Sequence, residues 1–79
     1  MLIQTNTLNL NIACTIAALC DKIIWNHTYG FSHNEYVATA NLQFDKIIFD
    51  HLMNVVVKSE FDQKLQSQIE QCEEILKQY

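Results

Sequence analysis

The side chains that could do chemistry in this chain are three histidines, three cysteines and scattered carboxylates. His27, His33 and His51, with Asp50 and Cys72, could supply ligands for a metal ion. Their spacing matches no common ligand pattern, because the chain contains neither H-x-x-x-H nor E-x-x-H. The sequence therefore predicts no metal site and no cofactor.

Catalytic arrangements are equally absent from the pattern. Cys72 with His51 would be a nucleophilic pair, but no local signature accompanies either residue. Asp45 and Asp50 are five residues apart, about 140° around a helix, so they do not form a carboxylate pair. Gly30 is the one glycine, and a single glycine cannot build a phosphate-binding loop. We expect no enzyme; a small enzyme or metal-binding protein is the third interpretation.

The cysteines indicate the compartment. Cys14, Cys20 and Cys72 are an odd set without a C-x-x-C pair, which is typical of free thiols in a reducing cytoplasm. The apolar stretch 8–25 is interrupted by polar residues, and no positive residue precedes it. It is therefore predicted to be a buried helix and not a signal peptide or a membrane span.

The charge composition indicates the class of partner. Nine acidic residues against five lysines, with no arginine, give a formal net charge of −4. Direct nucleic-acid binding requires a basic surface, usually rich in arginine. The composition thus argues against nucleic acid and favours a basic protein as partner.

The scarcity of chain-breaking residues predicts the fold. One glycine and no proline in 79 residues require long helices joined by brief connections. The expected architecture is a single all-α domain, a small three-helix bundle that is mostly antiparallel. The predicted elements are an N-terminal arm over residues 1–6 and helices over approximately 8–26, 33–57 and 60–78.

Capping patterns suggest the helix boundaries. Thr7 or Asn9 is the predicted cap of the first helix. The helix is expected to stop near Trp25–His27, because Asn26, Thr28 and Gly30 favour turns and Gly30 is free to adopt positive φ. Ser32 and Glu35 form a capping box, and Phe31 with Tyr36 is placed as a hydrophobic staple, so the second helix is expected to begin at His33. A bend near Thr39–Asn41 is an option, and the helix is expected to include Val55–Val57.

The third helix is predicted from a repeated cap and a regular apolar seam. Ser59 and Asp62 have the capping spacing. Two acid–lysine pairs at i,i+4 are expected, Glu60–Lys64 and Glu73–Lys77. The seam advances by three or four residues throughout, along Phe61, Leu65, Ile69, Cys72, Leu76 and Tyr79.

The second helix has more apolar residues than one packed face needs. Between Phe44 and Val56 they cover an arc of about 240°, whereas a helix packed on one side needs little over 100°. Either this helix is central and enclosed, or part of the arc contacts another chain. The second interpretation assigns Phe49 and Met53 to an interface.

Two further groups are candidates for partner contact. Trp25 and Tyr29 lie beside the Gly30 turn, where aromatic density is typical of binding hot spots. They could instead close the end of the bundle. Glu70, Glu73 and Glu74 form the densest acidic run, which is either a docking surface for a basic partner or an ordinary solvated face.

Together these features favour a non-enzymatic, protein-binding module. Small size, acidity and surplus apolar surface resemble the physical profile of inhibitors of larger basic, nucleic-acid-handling proteins, such as phage anti-defence proteins or immunity proteins. That resemblance is one of class and rests on no motif. The alternative is a homodimeric structural subunit that associates through residues 44–57.

Overall fold

Three long helices form an all-α, mostly antiparallel bundle, which confirms the predicted fold class. The computed structural model describes the backbone of residues 2–79 and the side chains of residues 10–79. The helices are α1 (Leu2–Trp25), the short α2 (Phe31–His33), α3 (Glu35–Val55) and α4 (Gln63–Leu76). No strand occurs in residues 2–79, and none of their helices is both long and apolar enough to cross a bilayer.

The first helix begins earlier than its sequence suggests. Residues 2–6 are helical, so the predicted arm is wrong for them, and Thr7 and Asn9 lie within the helix and do not cap it. Residues 2–9 contain no glycine or proline, and the capping preference of Thr7 and Asn9 alone does not interrupt the helix. Met1 lies outside the described residues.

The α-helical part of the first helix ends at Trp25, within the predicted stop at Trp25–His27, but the chain does not turn away there. After Trp25 the backbone makes a π-helical turn, Asn26–Gly30, and passes directly into α2. The helical run of residues 2–33 corresponds to a rod of about 48 Å, close to the 46 Å length of the molecule. Gly30 has φ −60° and ψ −35°, so it does not adopt the positive φ that was open to it, and the turn expected over these residues is helical.

The close approach of Asn26 and Ala38, and not the backbone conformation, explains why glycine occupies position 30. A Cβ at Gly30 would lie 2.1 Å from Oδ1 of Asn26 and 3.3 Å from Cβ of Ala38. The Asn26 side chain is buried there, and its Nδ2 donates a hydrogen bond of 3.1 Å to the carbonyl oxygen of Ala38. This contact joins the π turn to α3.

The break between the first two long helices occurs at Asn34. This residue is extended, with φ −160° and ψ 105°, and its Oδ1 accepts a 3.0 Å hydrogen bond from the backbone N–H of Val37. Ser32 is still helical, and its hydroxyl donates to the carbonyl oxygen of Tyr29. The predicted capping box is therefore wrong, because the chain has not left the preceding helix at Ser32. The predicted staple is not formed either, since Tyr36 is 85% exposed.

We expect Asn34→Ala to lower the free energy of unfolding by about 1 kcal/mol, because it removes the acceptor for a backbone N–H in the first turn of α3. Ser32→Ala is the matched control and should change stability by less than about 0.5 kcal/mol, since its hydroxyl caps no helix. Urea unfolding followed by circular dichroism measures both. A larger loss for Ser32→Ala than for Asn34→Ala would contradict the observed boundary.

The end of α3 and the start of α4 differ from prediction by a few residues. Val56 and Val57 are extended, so the local preference of β-branched residues overrides the helical pattern there. A 3₁₀ turn over Lys58–Glu60 follows. Asp62, and not Ser59, caps α4 by accepting from the backbone N–H of Leu65 at 2.8 Å. The α-helical hydrogen bonding of α3 continues through Thr39–Asn41.

The core lies where the three long helices meet. The predicted seam of α4 is confirmed, with Leu65, Ile69, Cys72 and Leu76 buried and Phe61 and Tyr79 packed at its ends. From α1, three side chains of the predicted stripe are fully buried: Ile16, Cys20 and Ile23. From α3, the buried side chains recur every three or four residues, which gives this helix one inward face: Ala38, Leu42, Asp45 and Phe49.

Candidate protein-binding surface

The outward side of α3 exposes a strip of side chains that are apolar or aromatic except for His51. Because the buried positions of α3 occupy one face, the remaining apolar residues of its wide arc are left on the opposite side. Phe44 is 61% exposed and Ile47 is 69% exposed. We call this strip the outer face of α3, and its members are Tyr36, Val37, Ala40, Phe44, Ile47, Ile48, His51 and Val55.

The outer face does not include the two α3 residues that the sequence assigned to an interface, Phe49 and Met53. Phe49 is only 3% exposed and belongs to the core, and Met53 packs against that core. An interface role for Phe49 is therefore wrong. The helix is neither enclosed nor exposed throughout: one part of its apolar arc is core and another part faces solvent. Phe44 and Ile47 were in the predicted arc, but no sequence signal separates them from its buried part, because the buried residues of α3 also advance by three or four.

Trp25 and Tyr29 form a second exposed aromatic group. About half of each side chain is exposed, and their ring centroids are 5.9 Å apart. The His33 ring stacks on Trp25 at 6.2 Å. Phe31 behaves differently, because it packs on the core and stacks on Tyr79. Only Phe31 thus supports the alternative that aromatic residues close the end of the bundle.

The acidic run of α4 is partly neutralised within the chain. Glu73 pairs with Lys58 at 3.4 Å, and Glu74 pairs with Lys77 at 3.2 Å. The predicted i,i+4 pairs Glu73–Lys77 and Glu60–Lys64 are not among the ion pairs of the described side chains. One reason is that Glu60 precedes α4 and lies in the 3₁₀ turn. Glu70 is exposed on the same helix.

One carboxylate is unexpectedly buried. Asp45 has no exposed surface, and its Oδ1 accepts a 3.2 Å hydrogen bond from Nζ of Lys22, whose side chain is about half exposed. Its Oδ2 has no hydrogen-bond partner among the described side chains and backbone. Asp50 lies exposed on α3, so the two aspartates do not act together. Asp45 links α1 to α3 in the core.

Two of the three thiols lie in the core and contact each other's residues. Cys14 is exposed, whereas Cys20 and Cys72 are fully buried, and the Cys72 thiol donates to the carbonyl oxygen of Cys20 at 3.5 Å. The side-chain hydrogen bond with Cys20 and burial raise the pKa of the Cys72 thiol far above its usual range. A protonated, buried thiol is a poor nucleophile. His51 lies on the exposed side of α3, so no Cys72–His51 pair forms.

One cleft is lined mainly by apolar side chains. This cleft of about 320 Å³ lies between α1 and the segment joining α3 to α4, with Ile12, Val56 and Phe61 among its lining residues. Its carboxylates are Glu60 and Asp62, and Asp62 is already engaged as the cap of α4. Among side chains 10–79, no three His, Cys, Asp or Glu residues come together in a way that could hold a metal ion.

Comparison with known proteins adds no functional information to this geometry. No family model, no curated protein and no solved structure matches the chain.

Proposed function

We propose that this protein is a non-enzymatic protein-binding module that contacts its partner through the outer face of α3. The observation that supports the proposal is the strip itself, in which Phe44, Ile47 and Tyr36 are each more than half exposed. Small soluble proteins rarely leave a contiguous apolar strip uncovered along a whole helix, and such patches are typical of protein interfaces.

The composition of the outer face favours an apolar contact over an electrostatic one. None of its eight members is Asp, Glu or Lys. Aromatic and large aliphatic side chains supply most of the binding energy in the centre of an interface, and charges at the rim mainly raise the association rate. Phe44 and Ile47 are therefore the proposed anchors of the contact, with Trp25 and Tyr29 as a second aromatic contact group.

The second candidate function is inhibition of a basic, nucleic-acid-handling protein, as phage anti-defence proteins or immunity proteins do. The net charge of −4 and the exposed Glu70 favour it. Glu73 and Glu74 favour it less, because each already has a lysine partner. For such an inhibitor, Glu70→Lys should slow association with the basic target and reduce the salt dependence of the association rate.

We also propose that the protein is cytoplasmic, which its three unpaired thiols support.

Site-specific photo-crosslinking in the native host tests the proposed contact. A photoreactive phenylalanine analogue at Ile47 should give a discrete crosslinked product, because this residue lies in the centre of the outer face. The same analogue at Ser67, which is exposed on α4, is the matched control and should give none. Equal crosslinking from both positions, or none from Ile47, would contradict a binding surface on α3.

A further inference from the structure

We infer that the occupant of the outer face of α3 is a second copy of this chain, packed antiparallel about a two-fold axis between Phe44 and Ile47. This inference rests on the proposed function and names its partner. It arises from three properties of the strip: its spacing, its lack of charge and its area.

The spacing of the strip suits a helix as partner. Val37, Ala40, Phe44, Ile47 and His51 advance by three, four, three and four residues. This alternation keeps side chains along one seam of a helix, where they can interlock with the side chains of a second helix. Over about two heptads such a seam is too short for a free-standing coiled coil, but here α3 is already held by its inward face.

The lack of charge makes the strip complementary to itself. A basic partner would find no carboxylate within it, whereas an identical strip brings no like charges together. The acidic residue at its edge is Asp50. Antiparallel pairing about the proposed axis offsets the two Asp50 residues by nine positions, about 13 Å along the helix, where their repulsion is largely screened.

The area is close to what a stable dimer requires. The six members with large apolar side chains expose on the order of 700 Å² together, against about 800 Å² per partner in a standard interface. An isologous contact uses the same patch on both copies, so no additional surface is needed.

The distribution of side-chain sizes distinguishes the two orientations. In the antiparallel arrangement Phe44 packs against Ile47 of the other copy, and the small Ala40 lies opposite the larger His51. A parallel arrangement would instead set Ala40 against Ala40 and His51 against His51, which leaves a gap in one layer and a polar pair in another. Since well-packed interfaces match large side chains with small ones, the antiparallel arrangement fills the seam better.

Sedimentation equilibrium tests the self-association. The wild-type chain should sediment at twice its 9.2 kDa mass, with a concentration-dependent return to monomer. Ile47→Glu should weaken the dimer by at least about 100-fold, because it places two carboxylates in the apolar seam. Ser67→Glu adds the same charge on exposed α4 and should change the dimer constant by less than about two-fold. Ile47 is 69% exposed, so an unchanged circular dichroism spectrum should accompany its loss of association.

Spin labels determine the orientation. With Cys14→Ser removing the exposed thiol, a label at Val37→Cys should give an inter-label distance near 25 Å in the antiparallel dimer and near 10 Å in a parallel one. A short distance would overturn the antiparallel arrangement. A wild-type chain that stays at 9.2 kDa at every concentration up to about 0.5 mM would overturn self-association. If Ile47 nevertheless crosslinks to another protein in the host, the proposed function stands and only its partner is different.

Discussion

Phe49→Ala is expected to lower the free energy of unfolding by about 3–5 kcal/mol, which is a large fraction of the total stability of so small a chain. Phe49 is 3% exposed and contributes to the core between the three long helices, so its truncation removes buried apolar surface and leaves a cavity. A chain of this size has a total stability of roughly 4–12 kcal/mol, so the variant should be partly or wholly unfolded at 37 °C. Phe49→Leu should lose about half as much and allow measurement in a folded protein.

Phe44→Ala is the matched control for this prediction. It makes the same chemical change on the same helix, but Phe44 is 61% exposed and faces away from the core. At concentrations too low for self-association, the unfolding free energy of Phe44→Ala should differ from that of the wild type by less than about 0.5 kcal/mol. Chemical denaturation at low protein concentration measures both variants. Equal losses for the two phenylalanines, or a larger loss for Phe44→Ala, would contradict the described orientation of α3.

Gly30→Ala is expected to destabilise the protein by about 2 kcal/mol, although Gly30 has helical backbone angles at which alanine normally stabilises by up to about 1 kcal/mol. The alanine Cβ would lie 2.1 Å from Oδ1 of Asn26. Asn26 is buried and bonded to the carbonyl oxygen of Ala38, so its side chain cannot move aside without losing that bond. Overpacking and a lost buried hydrogen bond together exceed the gain in helix propensity.

A second variant isolates the cause. With Asn26→Ala already present, the steric conflict with Asn26 is gone, and Gly30→Ala should then be neutral or stabilising. We expect the effect of Gly30→Ala on the free energy of unfolding to change sign between the two backgrounds. A double-mutant cycle followed by thermal or urea unfolding measures this change. If Gly30→Ala destabilises both backgrounds equally, the contact with Asn26 does not explain the glycine.

Features that depend only on the local spacing of apolar and chain-breaking residues were predicted correctly. The all-α class follows from one glycine and no proline, and the seam of α4 follows from a regular spacing that nothing in the helix contradicts. The stripe of α1 around Ile16, Cys20 and Ile23 was readable for the same reason. In each case a single apolar face has only one way to become buried.

The features that depend on tertiary contacts were not predictable. Ser32 and Asn34 are both good caps, and the choice between them depends on how far the π turn continues the first helix. Phe44 and Phe49 lie in one wide apolar arc, and sequence alone cannot say which edge of the arc faces the other helices. Asp45 gave no sign of its burial, because its partner Lys22 lies 23 residues earlier in the chain.

Two buried hydrogen bonds that join different parts of the bundle differ in the length of chain that they enclose. The bond from Asn26 to Ala38 closes a loop of 12 residues, whereas the bond from Cys72 to Cys20 closes one of 52. Two doublings of loop length add about 1.2 kcal/mol of closure entropy. The helical hairpin of α1 and α3 should accordingly assemble first, and α4 should dock last.

The same asymmetry gives the native protein a preferred way to open. Undocking of α4 about the extended residues Val56 and Val57 would break the longer-range bond while leaving the hairpin intact, so we expect it to be the most frequent large fluctuation of the folded chain. Each such event would bring Cys20 and Cys72 into contact with solvent at the same moment. The two buried thiols are thus a paired reporter of this motion: their common rate of alkylation in native buffer measures how often α4 leaves the bundle.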